Sequence, residues 1–405
     1  MRTSRLIGST VLLWLGSACM ASAAPAAAPT ADPTNDPLVQ QWGQQVGETL
    51  QARLRSMADS SKPGPLYLAG LLWIDTETDA ESDAARAGYA PLQRAWLQRA
   101  LDARPRDLLV ARMEALGCPA GLRCDPLAAL AFLEQADAGN ADVHLRAYAS
   151  AQRRGDAAAA ERAWQAAVQA DHFDSGALAL GQALHAAYAD VQWPVLTSVS
   201  LRAQLDARGL PSTGADTAML FAMAAWSAHA LPALSPVVRR CDPATVTPVL
   251  RDECMAVLGN VAKDESTLAT ALIGAKRMVS LSSGADATRW QARVRELAWL
   301  QQQQQGLAGA GRGLVSDGDA VLAHGEVPAL RALLQRQGIA TQPRPAGSRA
   351  RRCSKAARST RVGAAGSAVV LRMSRSATAD QSTGRLVRAR CACMRMRAAD
   401  RPHPS

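Results

Sequence analysis

The chain has 405 residues, a formal net charge of +10, 48% hydrophobic residues and only 4% aromatic ones. That length accommodates one large domain or two smaller ones around a sizeable core. The positive charge is terminal: residues 344–405 hold fourteen Arg and one Lys against Asp380 and Asp400, so residues 1–343 sum to −3 and nothing in the body asks for nucleic acid.

In chain order, the first predicted element is a secretory signal peptide over residues 1–23. MRTSR supplies positive charge, LIGSTVLLWLG a short apolar stretch, and Ala21–Ala23 the small residues of a cleavage site. The apolar stretch is too short to span a bilayer comfortably, and no later segment is long and apolar enough. Cys19 offers lipid attachment as a minor alternative, although Gly16 stands where a lipid-attachment motif wants an aliphatic residue. Export is expected to place the protein in the periplasm or outside the cell. Residues 24–36, APAAAPTADPTND, read as a disordered Pro/Ala linker.

From residue 37 to 342 the apolar pattern has a helical period, and Ala dominance favours helix. Leu38, Trp42, Val46, Leu50 and Leu54 fall four apart on one face of the first helix. Pro91 suits the first turn of another helix and Pro105 stops it; Asp125 and Pro126 start a further one, with Gly139 at its exit. The best strand candidate, WPVLTSVSL, is short and begins next to Pro194. Consecutive short helices without strands predict an all-α domain of helix hairpins packed side by side.

The clearest unit is ADVHLRAYASAQRRGDAAAAERAWQAAVQADH, residues 141–172: a helix, a turn at Gly155–Asp156, and a second helix. It resembles a tetratricopeptide repeat. That family wants Gly-Asp at the turn, then a small residue, an aromatic and an alanine, and Ala160, Trp164 and Ala167 stand in those places. Tyr148 departs from the small residue usual in the first helix, and Asp171–His172 replaces the closing proline. Weaker echoes are AWLQRALDARP, with Ala100 and Pro105, and GEVPALRALLQRQG. The resemblance covers about a quarter of the chain. It implies a tetratricopeptide-like solenoid in which Gly155, Asp156, Ala160, Trp164 and Ala167 pack the hairpin, and it implies binding of a partner protein or peptide on a concave face.

Four cysteines lie in the body: Cys118 and Cys124 in GCPAGLRCDP, Cys241 and Cys254 in RRCDPATVTPVLRDEC. Four cysteines allow three connectivities; in an exported protein, local spacing favours Cys118–Cys124 and Cys241–Cys254 as structural disulfides. The rival reading is a redox pair or metal site, but the spacing is not C-x-x-C and no histidine is placed beside either pair. His144, His172, His185, His229, His324 and His403 form no zinc motif and read as surface or groove residues. GAGRG at Gly309–Gly313 follows a helix and lacks the lysine of a phosphate loop; Asp317–Asp319, DGD, lacks calcium ligands and reads as a helix cap. DTETDAESD reads as a solvated acidic loop. No catalytic, metal or cofactor motif is present, and no cofactor is expected. Of nine tryptophans, Trp42, Trp96, Trp164, Trp226, Trp290 and Trp299 lie in helical patterns and are expected to fill grooves between helices.

The helical pattern stops near residue 343. The remainder, to residue 405, is Arg-, Ala- and Ser-rich, with Cys353, Cys391 and Cys393 unpaired. It reads as a GC-rich frame translated out of register, with a genuine disordered basic arm as the alternative. A chain truncated after Pro343 is expected to melt like the full chain. Together these features predict an exported, non-enzymatic scaffold of the bacterial envelope that binds a protein or peptide. The alternatives are an all-α enzyme, or binding of an anionic polymer or membrane by the tail.

Overall fold

A computed structural model of the chain describes residues 32–73, 90–118, 121–232, 234–309 and 317–343. They all fall in one compact unit, Met1–Arg344; the second unit, Pro345–Ser405, lies outside the described residues. So do the signal peptide, the acidic loop DTETDAESD and most of GAGRG.

The described residues form sixteen α-helices and no strands. In order these are α1 (Pro37–Ala58), α2 (Pro63–Leu72), α3 (Pro91–Asp102), α4 (Leu108–Leu116), α5 (Pro126–Ala136) and α6 (Ala141–Arg154). Next come α7 (Ala157–Gln169), α8 (Ala177–Tyr188), α9 (Val199–Ala207), α10 (Gly214–His229) and α11 (Ser235–Arg240). The last are α12 (Pro248–Lys263), α13 (Leu268–Leu281), α14 (Gly284–Gly309), α15 (Gly318–His324) and α16 (Glu326–Arg336). No helix among them is long and apolar enough to cross a membrane.

Side-chain caps explain many of the starts. Asp36, Asp107, Asp125, Asn140, Asp156, Ser198, Thr247 and Thr267 each accept from an otherwise unpaired backbone N–H of the following turn. Thr213 and Asp216 make a reciprocal capping box at α10. Gly155 ends α6 at φ 74°, a left-handed conformation that favours glycine, and Asp156 at once begins α7.

Several local expectations differ. Leu38 is exposed whereas Trp42, Val46, Leu50 and Leu54 are buried, because a spacing of four drifts around a helix of 3.6 residues per turn. Residues 32–36, read as linker, hold a 3-10 turn that buries Pro33, with Asp32 paired to Arg208. Helix α5 ends at Ala136, ahead of Gly139. Asp317 stands before α15 but makes no cap bond; it pairs with Arg336 instead. WPVLTSVSL is not a strand: residues 191–198 form an irregular connection that runs into α9.

Two large cores, with two smaller buried clusters beside them, hold the described residues of the unit together. One joins α6, α7, α12, α13, α14 and α16; the other joins α1 to α4 with α8, α10 and α15. Neighbours in sequence pack along α4–α7 and α12–α14, whereas α15 packs on α8, and α10 on α1 and α2, across long stretches of chain. Trp42, Trp96, Trp164, Trp226 and Trp290 are buried between helices; Trp299 is half-buried and its Nε1 donates to Ala340 O at 2.7 Å.

The crossing of α12 and α13 depends on a glycine. A Cβ at Gly274 would stand 2.5 Å from the backbone N of Ala262, inside contact distance of a group that cannot turn aside. Gly274→Ala is therefore expected to push the helices apart and cost about 1–3 kcal/mol. Urea denaturation of the variant checks this; an unchanged midpoint would show that the crossing yields freely.

Candidate functional site

Helices α5, α6 and α7 enclose a groove of about 500 Å³. Its walls follow from helical periodicity. Ala160, Trp164 and Ala167 of α7 point into the core, and Ala159, Ala163 and Ala166, each one position earlier and so on the adjacent side of the helix, line the groove; Ala163 is buried at the edge of that core. Leu127, Leu130 and Ala131 of α5 and Ala147 and Ala151 of α6 complete an apolar surface. Polar groups stand among them: Glu134, His144, Ser150, Arg154 and Arg162. Arg154 Nη1 donates to Ser150 Oγ at 2.7 Å, so that pair is already engaged.

His144 is buried beside the groove. Its Nε2 lies 2.7 Å from Ala138 O, and a carbonyl only accepts, so Nε2 carries the hydrogen. Nδ1 has no partner in the described structure. A neutral ring then presents a buried acceptor with an unused lone pair, the kind of group that gains from a donor.

Behind the groove a polar seam fixes α6. Arg112 of α4 donates to Asp137 and to Asp174, each at 2.8 Å. Asn140 Nδ2 donates to Asp137 Oδ2 and to Asp174 O, while its Oδ1 accepts from the N–H groups of Asp142 and Asp174. Asp142, itself buried, pairs with Arg146 at 2.5 Å. The corner Asp171–His172 joins the same assembly: the N–H groups of Asp171 and His172 donate to Gly139 O, and that of Ala141 donates to His172 O. The turn between α5 and α6 is thus tied to the α7–α8 connection.

The α12–α13 connection carries a second set of charges. Glu265 and Glu296 alternate with Arg293 and Arg331 at distances of 2.6–2.9 Å. Next to them Asp264 accepts from Ser266 N at 2.8 Å through Oδ1, but its Oδ2 is buried without a partner. Burial pushes the Asp264 carboxyl up to about 6; the Ser266 hydrogen bonds oppose this and the charges of Asp174 and Asp142 add to it. Burial also raises Asp142, against the pull of Arg146.

The raised Asp264 has a testable consequence. Its folded-state value lies above the ordinary 3.8, so the folded protein binds the proton more tightly than the unfolded chain. The resulting stability is fully present below about pH 4 and is lost as pH rises through about 6. Asp264→Asn keeps an acceptor for Ser266 N and removes the buried charge. Allowing for the carboxyl's partial exposure, it is expected to stabilise the protein by about 1–2 kcal/mol at pH 7 and by little at pH 4. Denaturant titrations at the two pH values check this, and equal effects at both would contradict it.

Of the residues singled out in the sequence, His144 lines the groove, whereas the repeat residues and the cysteines do not. Gly155 and Asp156 form the turn, and Ala160, Trp164 and Ala167 lie beneath. Cys118 and Cys124 stand between α4 and α5, and Cys241 and Cys254 join α12 to the end of α11; the sulfurs of each pair are at disulfide distance, 1.90 Å and 2.04 Å. The two pairs are separate. Among the described residues no group of His, Cys, Asp and Glu is arranged to hold a metal ion. No family model, no curated protein and no solved structure matches this chain.

Proposed function

We propose that this chain is an exported helix-hairpin scaffold of the bacterial envelope, tetratricopeptide-like in its α6–α7 hairpin, which binds a protein or peptide partner in the groove of α5, α6 and α7. The observation that carries the reading is the groove's make-up: a surface of alanines and leucines, interrupted by His144, Arg162 and Glu134. Small side chains let a partner's backbone approach, and the spaced polar groups provide orientation. The Arg112–Asp137–Asp174 seam supports this role by holding α6 in one position, so a partner need not order the groove on binding.

An enzymatic reading draws on the raised carboxyls of Asp142 and Asp264, but neither lines the groove. Their hydrogen bonds and ion pairs suit structural joints better. Binding through the basic tail concerns residues outside the described structure, and its signature would be salt-sensitive binding lost on tail deletion.

The test is Ala166→Trp, which fills the groove from a half-buried position. An affinity pull-down from an envelope fraction is expected to recover a partner with the parent chain and to lose it with the variant, while the melting temperature holds. Equal recovery by both chains would contradict the groove as the binding face.

A further inference from the structure

A second cavity, about 540 Å³, opens between α1, α2, α4 and α8, away from the groove. Its walls are apolar, built by Met57, Leu68, Leu109 and Ala183 among others. Two side chains of opposite charge line it, Arg53 from α1 and Asp107 ahead of α4. Each is half-buried, and neither makes an ion pair among the described residues.

Both charges are held from behind. Arg53 Nε donates to Ala187 O at 2.8 Å, which anchors the guanidinium and leaves its terminal nitrogens unclaimed. Asp107 Oδ1 accepts from the N–H groups of Leu109 and Val110, at 2.9 and 3.2 Å, while Oδ2 has no hydrogen-bond donor. Two half-desolvated, unpaired charges on an apolar cavity are costly, and they do not relieve one another. A ligand gains most here if it carries an anion for Arg53, a cation for Asp107 and an apolar body between.

We propose that this cavity binds a short peptide with free amino and carboxyl termini and apolar side chains, its carboxylate on Arg53 and its ammonium on Asp107. A simple anionic amphiphile would leave Asp107 unpaired, and a simple cation would leave Arg53 so. A single amino acid would leave much of the volume empty. The proposal is independent of the groove.

The experiment titrates the full chain with the dipeptide Ala-Leu by calorimetry, beside N-acetyl-Ala-Leu and Ala-Leu amide. Saturable binding of Ala-Leu is expected, with each capped form about tenfold weaker or worse, since a hydrogen bond to a charged group is involved at each end. Asp107→Asn, which preserves the helix cap, is expected to erase the preference for the free over the acetylated peptide. Arg53→Gln is expected to erase the preference for the acid over the amide. If Arg53→Gln fails to fold, the amide against the parent chain reads the same arm. No saturable heat with Ala-Leu, equal binding of the capped forms, or variants that leave both preferences intact would overturn the proposal.

Discussion

Replacing Trp164 with alanine should destabilise the protein by about 3–5 kcal/mol, the cost of removing a fully buried aromatic side chain and leaving a cavity. Trp164 is fully buried where α6, α7 and α12 meet. Its ring lies 5.6 Å from that of Tyr148, and the Arg240 guanidinium sits 4.5 Å over its face. The indole Nε1 donates to Glu253 Oε2 at 2.6 Å, so the truncation also takes a partner from a carboxylate. Trp164→Phe should separate the two contributions: it keeps most of the ring and loses the hydrogen bond to a carboxylate, for about 1.5–3 kcal/mol plus a smaller cavity. Urea denaturation reads both variants. A Trp164→Ala protein with an unchanged midpoint but no partner binding would assign this residue to recognition instead of packing.

The cysteine pairs should differ in both stability and access. Cys241 and Cys254 are 13 residues apart and fully buried, with Cα atoms 5.6 Å apart. A cross-link closing a loop of that size contributes roughly 3 kcal/mol in the chain-entropy model. The Cys241→Ala/Cys254→Ala double variant is therefore expected to lose about that much. Cys118 and Cys124 are only 6 apart, and Cys118 is exposed, so their removal should cost less and a mild reductant should open them in the native protein. Differential alkylation with peptide mapping checks the order: Cys118 and Cys124 first, Cys241 and Cys254 only with unfolding. Four free thiols in protein recovered from an oxidising compartment would contradict both the pairing and the export reading.

Much of the helical frame was legible because its signals are local. Asp125–Pro126 and Gly155–Asp156 mark helix boundaries by rules that act over three or four residues, and the structure places caps and the left-handed turn there. The cysteine pairings were legible for the same reason. The groove was not, since α7 carries alanine on both faces and periodicity alone cannot say which face meets a neighbour. The polar seam was hidden by distance along the chain: Arg112 meets carboxylates 25 and 62 residues later. A partial signal did exist in the run Asp137, Asn140, Asp142, which places three polar groups where a turn enters a helix. The packing of α15 on α8 and of α10 on α1 had no local signature either, and it sets this unit apart from nearest-neighbour stacking of repeats.

Site-specific photo-crosslinking tests the central claim most directly. A photoreactive residue would replace Ala166 in the groove and, as a control, Arg251 on the exposed side of α12. With an envelope extract, a discrete adduct is predicted from position 166, absent from position 251 and abolished when the groove is filled by Ala159→Leu. The same adducts from both positions, or a discrete adduct from 251 alone, would contradict a scaffold that binds its partner between α5, α6 and α7.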